Sequence, residues 1–392
     1  MADDLSVQQA REVIRQIRRY NAVDENLCRT AKRVLPDVWK SLENIKTQFG
    51  NSIDLLSSEL YSRPAHFLLE VVQNADDCSY DEDDDPELRI TLHDKYMEIE
   101  CNETGFTESN VRAFCAIGQS TKKGCHGAGY IGEKGIGAKS MFKVANKIHV
   151  HSRNFHFTLD SRDELGMISP KWENSSSYCP GWTTMRLEFI DDEQIDAVRE
   201  QIHLVQESIL LFMRRLTRLD IEDGGISTTI TREIDDDILT IRRVRGSQTT
   251  TRCYFRVVEN LAAYTKEKKR EGAKETELIL AFPLDDDCEP LRASQMAYAF
   301  LPMGNFGFNF IIQGDFLTAA NREDILAELE WNTTIRDSIG GVFMTALGKF
   351  HNDSKLRFTW PMFVPRDSDV PSAFFSSVVD DIRLSGFHRD IR

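Results

Sequence analysis

The stretch His66–Cys78, HFLLEVVQNADDC, decides how the rest of the chain is read. Leu68, Val71, Val72 and Ala75 recur at helical spacing. As a helix the stretch carries Glu70, Asn74 and Asp77 at i, i+4 and i+7, in one narrow stripe away from that apolar side. Asn is a poor helix former, because its side chain competes for backbone hydrogen bonds. A mid-helix Asn therefore asks for another use, and its amide can bind a metal ion or a phosphate-linked water. A solvated acidic helix face accounts for the same three residues, so the stretch alone leaves both readings open.

Around it the chain reads as helices, then strands. Pro64 suits the first turn of the Glu70 helix, where a missing N–H costs nothing. Upstream, residues 7–20 and 24–47 read as helices, from Val13, Ile14 and Ile17 and from Val34, Leu35, Val38 and Leu42. Gly50-Asn51-Ser52 breaks the second, and residues 53–61 form a short helical piece. Downstream, Leu88–His93 and Tyr96–Cys101 are two strands joined at Asp94-Lys95. Asn102-Glu103-Thr104-Gly105-Phe106-Thr107 is a polar turn opening a helix over Ser109–Ile117. Residues 147–151, 154–160 and 182–190 alternate like antiparallel strands, the last two joined by a Ser-rich loop.

Between them, Gly118–Gly137 is polar and glycine-rich, and a helix follows over Ala138–Val144. Gly127–Gly132 spells G-x-G-x-x-G, but a dinucleotide fold needs a buried strand directly before it, and Gln119–His126 is polar. Gly132–Ser140, GEKGIGAKS, misses a P-loop because Ala138 stands where Lys is required. Small residues leading into a helix still present backbone N–H groups to an anion. Gly135 and Gly137 allow close approach, and Lys134 and Lys139 add positive charge. A flexible surface loop is the plainer alternative.

The second half reads as a long helical pattern over Asp192–Leu219, with a domain boundary near residue 191. Strands follow at 226–233, 237–245, 251–258 and 275–283. Two more lie within 297–313, with a turn at Gly304–Gly307. A loop at 314–322 leads into a helix, and 335–350 is helical again. The last forty residues show no clear periodicity. The basic connector Lys266–Lys274 reads as solvated surface. The order helix, sheet, helix, sheet predicts α+β layers, not alternating β-α-β units.

The chain has 392 residues, 28% of them charged, and a net charge of -15. That field repels nucleic acid. No apolar run reaches the roughly 18 residues that span a bilayer. The N-terminus, MADDLSVQQA, is acidic and polar, unlike a signal peptide. Eight scattered cysteines without a C-x-x-C pair read as thiols in a reducing, cytoplasmic or nuclear, compartment. His149 and His151 alternate on a strand but have no third metal ligand near them in sequence.

Taken as an ordered set, these motifs resemble the ATP-binding domain shared by DNA gyrase B, the ninety-kilodalton heat-shock chaperones, histidine kinases and MutL, the GHKL superfamily. Its E-x-x-x-N-x-x-D/A motif is matched by Glu70, Asn74, Asp77 and Cys78. Its D-x-G-x-G motif is matched by Glu103-Thr104-Gly105, with Phe106 departing from the later x-G. Gly132, Gly135 and Gly137 match its G-x-x-G-x-G, and Thr183 its late-strand Thr. In wording, QNADD, NETGF, IGQSTK and GEKGIGAKSMF are similar to the sacsin and NO VEIN branch.

The resemblance implies a Bergerat-type ATP-binding α/β sandwich over 51–190, after a helical extension at 1–50. A second, transducer-like α+β domain would cover 191–350 and an irregular segment 351–392. It further implies Asn74 as ligand of a magnesium ion, Glu70 as general base, and Asp77 and Thr183 at the base-recognition end. Glu103 or Asn102 would accept the adenine amino group, beside Gly105. Gly118–Gly132 would be a lid hinged at Ser120, Thr121 and Lys122. The segment Gly132, Lys134, Gly135, Ile136, Gly137, Ala138 and Lys139 would hold the phosphates. In GDFLTAANRED, residues 314–324, Arg322 resembles the arginine by which heat-shock chaperones reach the γ-phosphate. The implied function is a slow, chaperone-like, magnesium-dependent ATPase whose lid and domains move with nucleotide, with room for a nucleotide-dependent dimer. A weakly hydrolysing switch module of a larger protein and a DNA-acting relative are the alternatives, and the acidic charge opposes the second.

Overall fold

The computed structural model describes residues 5–59, 65–117, 137–174, 179–205, 207–262, 267, 270, 273–285, 287–319, 325–366 and 368–389. They divide into two compact units. One holds the described residues up to 117, from 137 to 205 and from 214 to 229; the other holds 207–213 and the described residues from 230 onward. Both are α+β, with mixed strand pairing and covering helices.

The first unit opens with α1 (Val7–Tyr20), whose start is fixed by a reciprocal Ser6–Gln9 cap. Then come α2 (Glu25–Val34) and α3 (Pro36–Glu59). The expected break at Gly50–Ser52 is absent, and the helix breaks instead between Leu35 and Pro36. Proline has no N–H to continue a helix and favours its first turn. Glycine only weakens a helix interior, by about 1 kcal/mol relative to Ala. Next is α4 (Ala65–Asp76), the Glu70 helix. Phe67, Leu68, Val71, Val72 and Ala75 on it are buried, the side that the spacing predicts.

Strands β1 (Glu87–Leu92) and β2 (Tyr96–Cys101) pair antiparallel, each alternating half-buried and buried residues. After α5 (Glu108–Phe114) and a 3-10 turn at Gly137–Lys143 come β3 (Ala145–Ser152), β4 (Phe155–Asp160), β5 (Lys171–Trp172) and β6 (Thr183–Phe189). The helix expected over 138–144 is that tighter turn. Helix α6 (Asp192–Leu204) and β7 (Arg218–Asp223) complete the unit. Strand order is β7-β1-β2-β6-β3-β4-β5, antiparallel except that β7 runs parallel to β1.

The long helix expected over 192–219 ends at Leu204. Leu219, Ile221 and Asp223 are buried alternately, the period of a strand. The N–H groups of Arg214, Arg215 and Leu216 go to the Asp76 carboxylate at 2.8–2.9 Å, where a helix would have used them internally. The expected boundary near 191 therefore falls ahead of two elements that belong to this unit.

The second unit contains the part of β8 (Ile226–Asp235) from Ile230 onward, β9 (Ile238–Arg245), β10 (Gln248–Ala262), β11 (Glu275–Leu284), β12 (Met296–Ala299), β13 (Leu301–Asn305) and β14 (Ile311–Gly314). Their order is β13-β12-β14-β11-β10-β9-β8. Residues 297–313, expected as two strands, hold most of three. Helices α7 (Glu330–Phe350), α8 (Leu356–Thr359) and α9 (Ser376–Arg389) follow. Phe282 of β11 meets Phe343 and Phe350 of α7, and Phe363, in edge-on contacts that close the core. The segment after 350, expected to be irregular, supplies Phe363, Phe375, Val378 and Ile382 to that core. Its prolines interrupt the pattern that would have shown this.

The basic connector is not all solvated surface. Arg270 is buried, paired with Asp315 at 2.6 Å and lying over Trp331. Residues 325–329 form a bridge and a turn, and α7 begins at Glu330. The base of this loop is pinned by the fully buried Asn332, which binds the backbone of Leu317 and Leu326.

Candidate functional site

Helix α4, the residue after it, the turn after β2 and the start of β6 carry Glu70, Asn74, Asp77, Glu103 and Thr183. On α4, Glu70 is buried and Asn74 half-buried, and Asp77, just past its end, is buried. At the end of β2, Cys101 stands opposite Thr183 of β6 in the antiparallel register. That register brings the Thr183 hydroxyl to the turn that follows β2. The hydroxyl donates to Glu103 Oε1 at 2.5 Å. Ser152, the last residue of β3, lies 2.6 Å from Thr183 Oγ1 and accepts the Phe106 N–H at 2.7 Å. With the Thr183 proton given to Glu103, Ser152 must donate to Thr183, so the chain of bonds runs one way.

Glu103 is buried, and burial pushes its carboxyl above the usual carboxylate range. Hydrogen bonds from Thr183, the Gly105 N–H and Cys78 oppose that shift, as does the Arg153 charge. Gly105 has φ +89°, and a Cβ there would meet the Arg153 side chain at 2.4 Å, so glycine is required. Arg153 in turn donates to the Thr104 carbonyl. Cys78, one residue after Asp77, has a single thiol proton, shared between the Asn74 carbonyl at 3.1 Å and Glu103. Helix α4 and the 102–105 turn are thereby tied to each other.

Asn102 is spent on structure. Its oxygen accepts the Glu87 N–H and its amide donates to the Asp85 carbonyl, both at 2.8 Å. Lys139 is also turned away from an anion role. The 3-10 turn directs it inward, where its ammonium donates to the carbonyls of Phe114 and Met167 at 2.6 and 2.7 Å. Burial pushes it down to about 8. Gly137 begins that turn and Ala138 is half-buried. Ser120, Thr121, Lys122, Gly132, Lys134, Gly135, Ile136 and Arg322, with the expected lid, lie outside the described residues.

No protein-family profile matches the chain. The chain is similar to Protein NO VEIN of Arabidopsis thaliana. The two are 33% identical over 372 residues, which is 86% of this chain and 13% of that protein. It is also similar to Chaperone protein HtpG of Chlorobium chlorochromatii, 27% identical over 139 residues, 28% of this chain and 22% of that one. The chain thus spans a minor part of the length of either relative.

Two polar residues of this region escape a reading by motif. Asp76 is buried and collects the three N–H groups at 214–216. The available signal was an Asp four residues after Val72, on the apolar side of α4. Ser152 carried no such signal, because only the β3–β6 pairing brings it to Thr183. The His149–His151 pair meets two carboxylates and a third histidine. His149 lies 2.9 Å from Glu173 and 2.7 Å from Glu188, and His151 lies 3.1 Å from His156. Among the described residues no three His, Cys, Asp or Glu side chains are arranged to hold a metal ion. Nor is any described helix long and apolar enough to cross a membrane.

Proposed function

We propose that the chain binds ATP with magnesium and hydrolyses it slowly, as a GHKL-type ATPase with a Bergerat-type first unit. The observation that carries this is the Thr183–Glu103 pair, tied by Cys78 to the helix that bears Glu70 and Asn74 and ends just before Asp77. Similarity to a chaperone HtpG and to NO VEIN supports the same reading.

In this reading Glu103 accepts the adenine amino group, with Thr183 fixing its orientation and Asp77 buried at the same end. Asn102 drops out as an acceptor because both ends of its amide are used by backbone. Glu70 takes the proton of the attacking water, the role of a positioned carboxylate. A magnesium ion held largely by phosphates and waters needs few protein donors, and the half-exposed amide oxygen of Asn74 is a hard donor that fits. When bound, that ion neutralises phosphate charge as it develops. Phosphoryl transfer asks mainly for such positioning, which a rigid helix beside a paired sheet supplies.

The second reading is a nucleotide-binding switch that scarcely turns over. It is favoured by the small share of NO VEIN that the chain spans. Calorimetric titration with ATP, ADP and a non-hydrolysable analogue, with and without magnesium, tests both. Magnesium-dependent binding that Asn74→Ala removes supports a nucleotide site. Absence of binding to the folded chain would sink both readings, and binding without turnover would select the switch.

A further inference from the structure

Ser152 ends β3 beside Thr183 and is 1% exposed. Among the described residues its hydroxyl has two partners, the Phe106 N–H at 2.7 Å and Thr183 Oγ1 at 2.6 Å. An N–H only donates, so it occupies a lone pair of Ser152. The proton of Ser152 is left with Thr183 as its acceptor. Were Thr183 to turn its own single proton toward Ser152, a buried O–H would be stranded, and a buried donor without an acceptor is costly. Ser152 thus commits the Thr183 proton to Glu103 Oε1, 2.5 Å away.

The direction of that bond matters because a carboxyl can meet a base in two states. Ionised, it accepts from an amino group; protonated, it donates to a carbonyl. Burial favours the protonated state of Glu103, and the groups around it oppose this. The Gly105 N–H is fixed by the backbone. Cys78, after α4, divides one proton between Glu103 and the Asn74 carbonyl. Arg153, in the β3–β4 turn, adds its charge while donating to the Thr104 carbonyl. Cys101 of β2 and Tyr80, 3.1 Å apart, are both pushed up by burial and stay neutral. That leaves the Thr183 hydroxyl, a donor whose direction is set by another side chain. We propose that Ser152 is a positioning residue for base recognition, which holds Glu103 as an acceptor by acting through Thr183. This rests on the reading of Glu103 as the group that meets adenine. It adds that preference for an amino-bearing base over a carbonyl-bearing one is set partly from behind, by a buried side chain two hydrogen bonds from the base.

The test has one arm without nucleotide and one with it, both on the 392-residue chain. In the first, the chain carries carbon-13 at its glutamate carboxyls, Glu103→Gln assigns the Glu103 signal, and its titration is followed by NMR. Ser152→Ala should raise the Glu103 midpoint by about half a pH unit, because a donor that is itself hydrogen-bonded is strengthened by roughly 10–30%. Ser152→Thr, which keeps a hydroxyl, should hold the wild-type midpoint. In a Thr183→Val background Ser152→Ala should add no shift, since its effect passes through Thr183. In the second arm, calorimetry compares ATP with inosine triphosphate, whose base bears a carbonyl in place of the amino group. Ser152→Ala should narrow the preference for ATP roughly threefold, the same free energy as the half unit. A general loss of packing would weaken both nucleotides alike. Where circular dichroism shows Ser152→Ala unfolded, Ser152→Cys, a weaker donor, replaces it. A midpoint that Ser152→Ala leaves in place, a shift that persists in the Thr183→Val background, or an unchanged preference for ATP overturns the proposal while the ATPase reading stands. A wild type that binds neither nucleotide, with the midpoints moving as expected, overturns the reading beneath and the proposal with it.

Discussion

Thr183 donates its hydroxyl to Glu103 at 2.5 Å, across residues 80 apart in sequence, and Ser152 donates to Thr183 in turn. Glu103 therefore meets a ligand with one oxygen already fixed and its carboxyl raised by burial. A carboxylate so held is ready to accept a donor such as the adenine amino group. A hydrogen bond to a charged group contributes about 1.5–3 kcal/mol, or roughly ten- to a hundredfold in affinity. Glu103→Ala should weaken ATP binding by that factor in calorimetry. Asn102→Ala should leave affinity near wild type and lower the melting temperature, because it strands the Glu87 N–H. The opposite pattern would hand the recognition role to Asn102.

Lys139 leads to a prediction about stability, not binding. Its ordinary value of 10.5 is lowered to about 8 by burial. Between those values the unfolded chain holds the proton and the folded chain has released it, so stability rises with pH across the window. Lys139→Met should flatten that rise in urea titrations from pH 8 to 10.5. It should also destabilise the chain by leaving the Phe114 and Met167 carbonyls without their donor. A Lys139→Met protein with normal stability but weak ATP binding would return this lysine to the phosphates.

What could be read in advance follows from which forces act locally. Helix α4 was legible because Leu68, Val71, Val72 and Ala75 repeat with the helical period. Strands β1 and β2 were legible because every second residue is buried. The region after Leu204 misled because its apolar residues, taken without their neighbours, fit a helix as well as a strand. Only Asp76, from far upstream, and the parallel pairing with β1 decide it. Lys139 misled for a related reason. Charge beside a glycine-rich loop suggests an anion, but side-chain direction depends on the turn, and a 3-10 turn points this one inward. Ser152 was invisible because nothing local marks it.

His151 and His156 sit 3.1 Å apart, and burial lowers both from an ordinary value of 6.5. Glu173 opposes this at both residues, while His149 and Arg186 add to it at His151. The unfolded chain therefore takes up protons that the folded pair resists, and stability should fall as pH drops below about 6.5. Urea unfolding at successive pH values from 7.5 to 5 should show that fall, and His156→Asn should reduce its slope. An identical slope in the variant would mean that other groups set the acid limit.

Glu70 gives the sharpest test of chemistry. It is buried on the same stripe of α4 as Asn74, one helical turn away, so a group held by Asn74 would lie within its neighbourhood. Burial fixes the carboxylate in place, and a fixed base within hydrogen-bond reach of a water is what proton removal requires. Loss of a general base typically lowers the rate by about 10²–10⁴-fold. Glu70→Ala should therefore keep magnesium-dependent ATP affinity and lose turnover by that factor. Glu70→Gln, which keeps the shape of the side chain, should lose as much. A rescue of turnover by Gln would mean that packing around Glu70 matters and its basicity does not. Equal turnover in wild type and both variants would remove Glu70 from the mechanism.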